Sequence, residues 1–139
     1  MASPPYGHRK GEPVLVQKKV DASTTAILAG DFVTEGTQGY VQQAAAGSSL
    51  IGVAWGSCSV PASDGEITIS VDVGGNCVYE YPPDTGTVTQ ALAGRTMDIG
   101  GAQSIDIDAS TDGCIMCHEV DTVANTLMIS LLPTRTGIV

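Results

Sequence analysis

Charged and aromatic residues are scarce in this chain of 139 residues, at 15% and 4%, whereas about 25% of a typical soluble domain is charged. The hydrophobic core must therefore rely on Val, Ile, Leu and Ala. Only two histidines are present, and the sequence shows no base with an orienting partner, which disfavours acid–base and nucleophilic catalysis. It also lacks a phosphate-binding loop, a Gly-x-Ser-x-Gly elbow and an HExxH motif. We therefore expect that the protein is not an enzyme.

Long apolar runs are also missing. None approaches the roughly 20 residues that span a bilayer, and the opening MASPPYGHRKGEP has no apolar segment of a secretory signal. These features predict synthesis in the cytoplasm and no membrane contact. In that compartment four cysteines would remain mostly thiols: Cys58, Cys77, Cys114 and Cys117.

Short β-prone runs, each closed by Gly or Asp-Gly, fill the chain and predict an all-β fold, a small antiparallel sandwich or barrel with an extended N-terminal arm. Residues 66–73 alternate most clearly, with apolar side chains on one face and polar side chains on the other. Residues 50–55 are almost continuously apolar, as in a buried strand. Residues 76–81 are expected to return as the second strand of a hairpin, and residues 82–95 to form a long loop.

The charge is unevenly distributed along the chain. Four of the six basic residues and one glutamate lie in the first 19 positions, so this segment carries +3 and residues 20–139 carry −12. The Pro- and Gly-rich residues 1–13 are expected to form an extended basic arm on a single β domain, 14–139. Such an arm can dock on an acidic neighbour, whereas an acidic body disfavours direct binding of nucleic acid.

The sharpest motif is Cys114-Ile-Met-Cys117-His118, which has the spacing of c-type haem attachment. The segment looks like a strand, on which residues three apart face opposite sides, and no export signal precedes it. We therefore interpret the match as coincidental, with one cysteine buried and the other half exposed. Zinc is also disfavoured, because Cys58 and Cys77 are isolated in sequence. No cofactor is expected.

Asp106, Asp108 and Asp112 resemble the start of a calcium loop, since hard cations prefer carboxylate oxygens. The EF-hand form needs Gly at its sixth position and Glu at its twelfth, where this sequence has Thr111 and Cys117. The simpler interpretation places the first two aspartates on the solvent side of a strand. A calcium site of another form stays as a weak alternative.

Several segments resemble, in order and in small-residue spacing, the capsid decoration (cement) proteins of tailed bacteriophages. They are AGDFVTEG (29–36), GYV (39–41), LIGVA (50–54), DGEITISVDVGG (64–75), GRTMDIGG (94–101), SIDIDASTDG (104–113) and VDTVANTLMISL (120–131).

The resemblance implies a structural virion protein on the outer capsid surface of a phage head. It would bridge subunits of the major capsid protein, stabilise the expanded capsid and form a homo-oligomer, with a trimer as the first expectation. The expected capsid contacts lie in and beside the arm: Pro4, Tyr6, Arg9, Lys10, Lys18 and Lys19. Two alternatives stay open, a calcium-dependent β binding module of a fibre or adhesin protein and a subunit of another self-assembling β sheath.

Overall fold

The computed structural model describes residues 7–35, 39–46, 52–110 and 113–132. Its strands in chain order are β1 (Gly7–Lys10), β2 (Leu15–Lys19), β3 (Phe32–Glu35), β4 (Val41–Gln43), β5 (Gly52–Ala54), β6 (Thr68–Asp72), β7 (Val78–Tyr81), β8 (Thr96–Gly101), β9 (Ser104–Asp106), β10 (Ile115–Asp121) and β11 (Thr126–Leu131). They form two antiparallel sheets packed as a sandwich, which is not a closed barrel. The all-β prediction is confirmed.

One sheet has six strands in the order β1-β7-β11-β10-β8-β9, and the other has five in the order β2-β6-β5-β3-β4. Residues 82–95 form the expected loop between β7 and β8. This loop contains one isolated bridge, from Pro83 to Ile105, and a 3-10 turn at Gln90–Leu92. No helix within the described parts of the chain is long and apolar enough to cross a membrane.

In the five-stranded sheet, the apolar residues of the central strands β3 and β5 are buried on both faces, which explains the nearly continuous apolar run predicted as a buried strand. Phe32 and Val53 face the main core between the sheets, where they meet Tyr79 and its neighbours on the six-stranded sheet. The next residue in each strand, Val33 or Ala54, faces a second apolar cluster on the other side. Gly52, Val53 and Ala54 are accordingly all buried.

The alternation predicted for residues 66–73 is confirmed on its apolar face, since Ile69, Val71 and Val73 are buried. The hairpin predicted between this strand and residues 76–81 is wrong. β6 pairs with β2 and β5, whereas β7 pairs with β1 and β11 in the opposite sheet. The reason is packing: from the opposite sheet, Tyr79 and Tyr81 fill the core across from the smaller side chains of β3 and β5.

The N-terminal segment lies at the edge of both sheets. Gly7–Lys10 pairs with β7 as the outermost strand of the six-stranded sheet, and Leu15–Lys19 is the outermost strand of the five-stranded sheet. Residues 7–13 of the expected arm are therefore packed against the domain, while residues 1–6 lie outside the described residues.

Candidate functional site

The candidate contact residues of the N-terminal segment lie on two edge strands. Arg9 and Lys10 belong to β1, and Lys18 and Lys19 belong to β2. Pro4 and Tyr6 fall outside the described residues. The structure therefore places four of the six residues along one border of the sandwich, two on each sheet.

Arg9 holds β1 to the domain. Its Nε donates to Glu80 Oε1 at 2.8 Å, and the second oxygen of Glu80 accepts the hydroxyl proton of Thr126. Both charged side chains are mostly covered, with 28% of the arginine and 13% of the glutamate exposed. Solvent screens a partly covered ion pair less than an exposed one, so this pair holds β1 against β7 more firmly than an exposed pair would. Arg9 thus has a structural role whatever else it contacts.

The inner side of β1 is fixed by aromatic contacts. The His8 ring lies 4.9 Å from the ring of Trp55 and 5.8 Å, edge-on, from the ring of Tyr79. The indole N–H of Trp55 donates to the Tyr79 hydroxyl at 3.1 Å, and this hydroxyl donates to Asp72 Oδ2. A continuous series of contacts therefore connects β1 with β6 through the main core.

Asp72 is a fully buried carboxylate, with 0% of its surface exposed. Its second oxygen accepts the backbone N–H groups of Val14, at 3.0 Å, and Gly74, at 3.1 Å. A buried charge is tolerated only when such donors replace water. Val14 leads into β2, so the carboxylate also fixes the start of this edge strand.

Burial suppresses the ionisation of the groups around Asp72. It raises the pKa of the Cys77 thiol to about 11, with the negative charge of Asp72 as the next cause. Burial first, and the hydrogen bond to Asp72 second, also raise the pKa of Tyr79. Both groups stay protonated at neutral pH, so neither supplies the anion that a nucleophile needs. We assign this cluster a structural role.

A second buried carboxylate, Asp31, connects the two sheets and is 2% exposed. It accepts the N–H of Leu28 at 2.8 Å and the side-chain amides of Gln43, at 2.8 Å, and Gln103, at 2.7 Å. Gln43 lies on β4 and Gln103 in the turn between β8 and β9. The aspartate of AGDFVTEG therefore joins one sheet to the other.

The three lysines of the segment differ from Arg9. Lys10, Lys18 and Lys19 form no ion pair with any part of the chain that the structure describes, and the first and last are exposed. The ammonium groups of Lys10 and Lys19 therefore face solvent, where a negatively charged partner can reach them.

A groove of about 500 Å³ opens beside β1. Val78 and Met128 supply its apolar lining, Arg9 and Lys10 line it from β1, and His118 and Glu119 line it from β10. His118 is exposed, and its Nε2 lies 2.8 Å from the Ser130 hydroxyl. The groove therefore combines apolar and charged groups from β1, β7, β10 and β11.

The predicted exposure of the CxxCH cysteines is wrong. Cys114 and Cys117 are both buried, at 2% and 0% exposed, whereas His118 points to solvent. Cys114 lies just before β10, where strand alternation does not apply, and a bulge follows Cys117. Burial raises the pKa of the Cys117 thiol to about 11. The coincidental nature of the haem match stays a prediction.

Asp106 lies on β9, and its Oδ1 accepts the N–H of Asp108 at 3.0 Å, while Asp112 lies outside the described residues. Where the structure describes the chain, no three His, Cys, Asp or Glu side chains are grouped so that they could hold a metal ion.

Sequence reasoning missed the burial of Asp72, which is 0% exposed. Alternation assigned it to the polar face of β6 with Thr68 and Ser70, and that assignment implied exposure. The available signal was its place before Val73-Gly74-Gly75, where an aspartate can accept the N–H groups of a turn.

Comparison with protein families, curated proteins and solved structures finds no match to this chain.

Proposed function

We propose that this protein is a structural component of a phage virion. It binds the outer surface of the head and stabilises the expanded capsid by bridging subunits of the major capsid protein. The observation that carries the proposal concerns the first four segments that resemble decoration proteins. Their described parts form β3, β4, β5 and β6, which lie side by side as β6-β5-β3-β4 in one sheet. The first four resembling segments thus form one contiguous part of the five-stranded sheet.

The charge distribution supports the same proposal. The border formed by β1 and β2 presents Lys10, Lys18 and Lys19, whereas the chain beyond residue 19 carries −12. A surface of this kind orients the domain on an acidic subunit and repels nucleic acid from its body. Individual contacts of exposed lysines are weak, so function would depend on many copies and several contacts per copy.

The first experiment is intact-mass spectrometry of sedimented particles from the native source. We expect this chain at its bare mass in DNA-filled heads, in stoichiometric amounts beside a major capsid protein. Absence from the particles would refute the proposal. A haem-sized adduct would also refute it and would point to the CxxCH segment.

The second experiment tests the edge lysines. The double variant Lys18→Glu and Lys19→Glu removes two contacts of about 0.2–1 kcal/mol each, one at the half-buried Lys18 and one at the exposed Lys19, so we expect head affinity to fall about 2- to 30-fold. Arg95→Glu is the matched control, because Arg95 is exposed and lies outside the N-terminal border. Equal occupancy of the heads by the double variant and the control would contradict the assignment of these lysines.

A further inference from the structure

The turn between β10 and β11 carries an unusual side chain. Val123 is 96% exposed, whereas the other exposed large apolar residues, Val14, Leu15, Leu28 and Val60, are between 45% and 57% exposed. Single exposed apolar residues are common on protein surfaces. This one stands out because the turn that carries it is held in place from both sides.

Asp121 and Asn125 fix this turn. Asp121 Oδ1 accepts the N–H groups of Val123, at 3.0 Å, and Ala124, at 2.9 Å. Asn125 adopts a left-handed conformation with φ of 59°, and its side chain accepts the N–H of Val88 at 2.8 Å. The valine is therefore presented by an ordered turn, and little conformational entropy is lost when a partner covers it.

The same hairpin also lines the groove beside β1. Glu119 and Met128 are register partners in β10 and β11, and both line the groove. Lys10 lines it from β1, has no ion-pair partner in the described residues, and is exposed. Two cations, Arg9 and Lys10, and one carboxylate, Glu119, line the groove beside its apolar residues, so the charge of its lining is net positive. The turn offers an apolar tip beside the carboxylate of Asp121.

We propose that the groove binds the Val123 turn of a second copy of this chain. Val123 packs on Val78 and Met128 of the other copy, and the acidic side of the turn approaches Lys10. Because turn and groove share one hairpin, each copy supplies both halves of the contact. Two copies can therefore insert their turns reciprocally around a two-fold axis, which closes the assembly as a dimer.

This self-association does not depend on binding to a phage head and goes beyond the proposed function. One turn in one groove is a small contact, and interfaces at the low end of the size range are weak and transient. We therefore expect a monomer–dimer equilibrium that depends on concentration in solution. A high local concentration would strengthen it.

Sedimentation velocity of the full chain, over about a hundredfold range of concentration, tests the proposal. We expect dimers whose fraction rises with concentration. Val123→Asp should raise the dimer dissociation constant at least about 10-fold, since it places a charge against the apolar lining. Val60→Asp is the matched control, because it makes the same exchange at an exposed valine outside the hairpin, and it should leave the constant unchanged.

Lys10→Glu tests the groove side and should weaken the dimer as well, with Lys19→Glu on β2 as its matched control. The decisive sample is a mixture of Val123→Asp and Lys10→Glu copies. In this mixture the intact turn of the second variant can enter the intact groove of the first, so heterodimers should exceed the homodimers of either variant.

Three results would overturn the proposal. They are a monomeric wild type at every concentration, equal losses in Val60→Asp and Val123→Asp, and a mixture that associates no better than its components. Circular dichroism of each variant separates a lost contact from a lost fold. If Lys10→Glu unfolds, the comparison of Val123→Asp with Val60→Asp still decides.

Discussion

Tyr79→Phe removes one oxygen atom from the centre of the polar network, and the structure predicts a loss of stability larger than a typical hydrogen bond. The hydroxyl donates to the buried carboxylate of Asp72 and accepts the indole N–H of Trp55. Phenylalanine fills the same space without the oxygen. The substitution therefore isolates these two bonds and creates no large cavity.

The magnitude follows from the charge on Asp72. A hydrogen bond to a charged group contributes about 1.5–3 kcal/mol, whereas a neutral bond contributes about 0.5–1.5 kcal/mol. Two backbone N–H groups remain on the other oxygen of Asp72, so its charge stays partly compensated. We expect the free energy of unfolding to fall by about 2–3 kcal/mol. At roughly 3 °C per kcal/mol for a domain of this size, Tm falls by about 6–9 °C.

Tyr81→Phe is the matched control. Tyr81 lies on the same strand, is buried to the same degree, and donates its hydroxyl proton to a neutral acceptor, the carbonyl oxygen of Gly30. We expect a loss of about 1 kcal/mol there. Urea unfolding followed by circular dichroism measures both variants. A Tyr79→Phe loss no larger than that of Tyr81→Phe would refute the importance assigned to the buried charge.

Two further predictions concern the attachment of β1 and the buried cysteines. Gly11→Ala should release β1, because Gly11 has φ of +96° and a Cβ would lie 2.4 Å from the Asn76 carbonyl oxygen. Fluorescence of Trp55 measures the release. Gly39→Ala is the control: Gly39 has φ of +85° but open space around it, so this substitution should lower the free energy of unfolding by only about 1–2 kcal/mol. The free energy of unfolding should also fall as pH rises from about 9 to about 11. Folding raises the pKa of Cys77 and Cys117 from 9.0 to about 11. The unfolded chain therefore loses these protons at lower pH than the folded chain, which favours unfolding over this range. Urea midpoints that do not fall over that range, or a fall equally steep after Cys77→Ala and Cys117→Ala, would contradict this.

The fold class could be predicted because local pattern and tertiary burial agree over most of the chain. The alternation of Ile69, Val71 and Val73 requires one buried face, and the β-branched residues of the second half require strands. Sequence cannot say which strands share a sheet when two sheets cover a common core. The expected hairpin of β6 and β7 was wrong for that reason. Two consecutive strands show the same alternation whether they pair in one sheet or face each other from opposite sheets.

The candidate site was less predictable, because it depends on contacts between residues far apart in sequence. The charge count identified Lys10, Lys18 and Lys19, and two of these are exposed in the structure. It could not distinguish them from Arg9, which is paired with Glu80 across 71 positions of sequence. The burial of Asp72 was invisible for the same reason, since its main donor, Tyr79, lies in the opposite sheet.

The N-terminal segment is attached to the domain and also presents exposed lysines, and a truncation would affect both features at once. His8, Arg9 and the N–H of Val14 face the domain and attach the segment to Trp55, Glu80 and Asp72, while Lys10 and Lys19 face solvent. Removing residues 1–13 would delete β1 and expose part of the aromatic network, so lost capsid binding would then reflect damage to the fold as well as lost contacts. Charge reversal at the lysines leaves the anchoring bonds in place. An effect of Lys18→Glu and Lys19→Glu on head occupancy at unchanged Tm would therefore measure the contact surface alone.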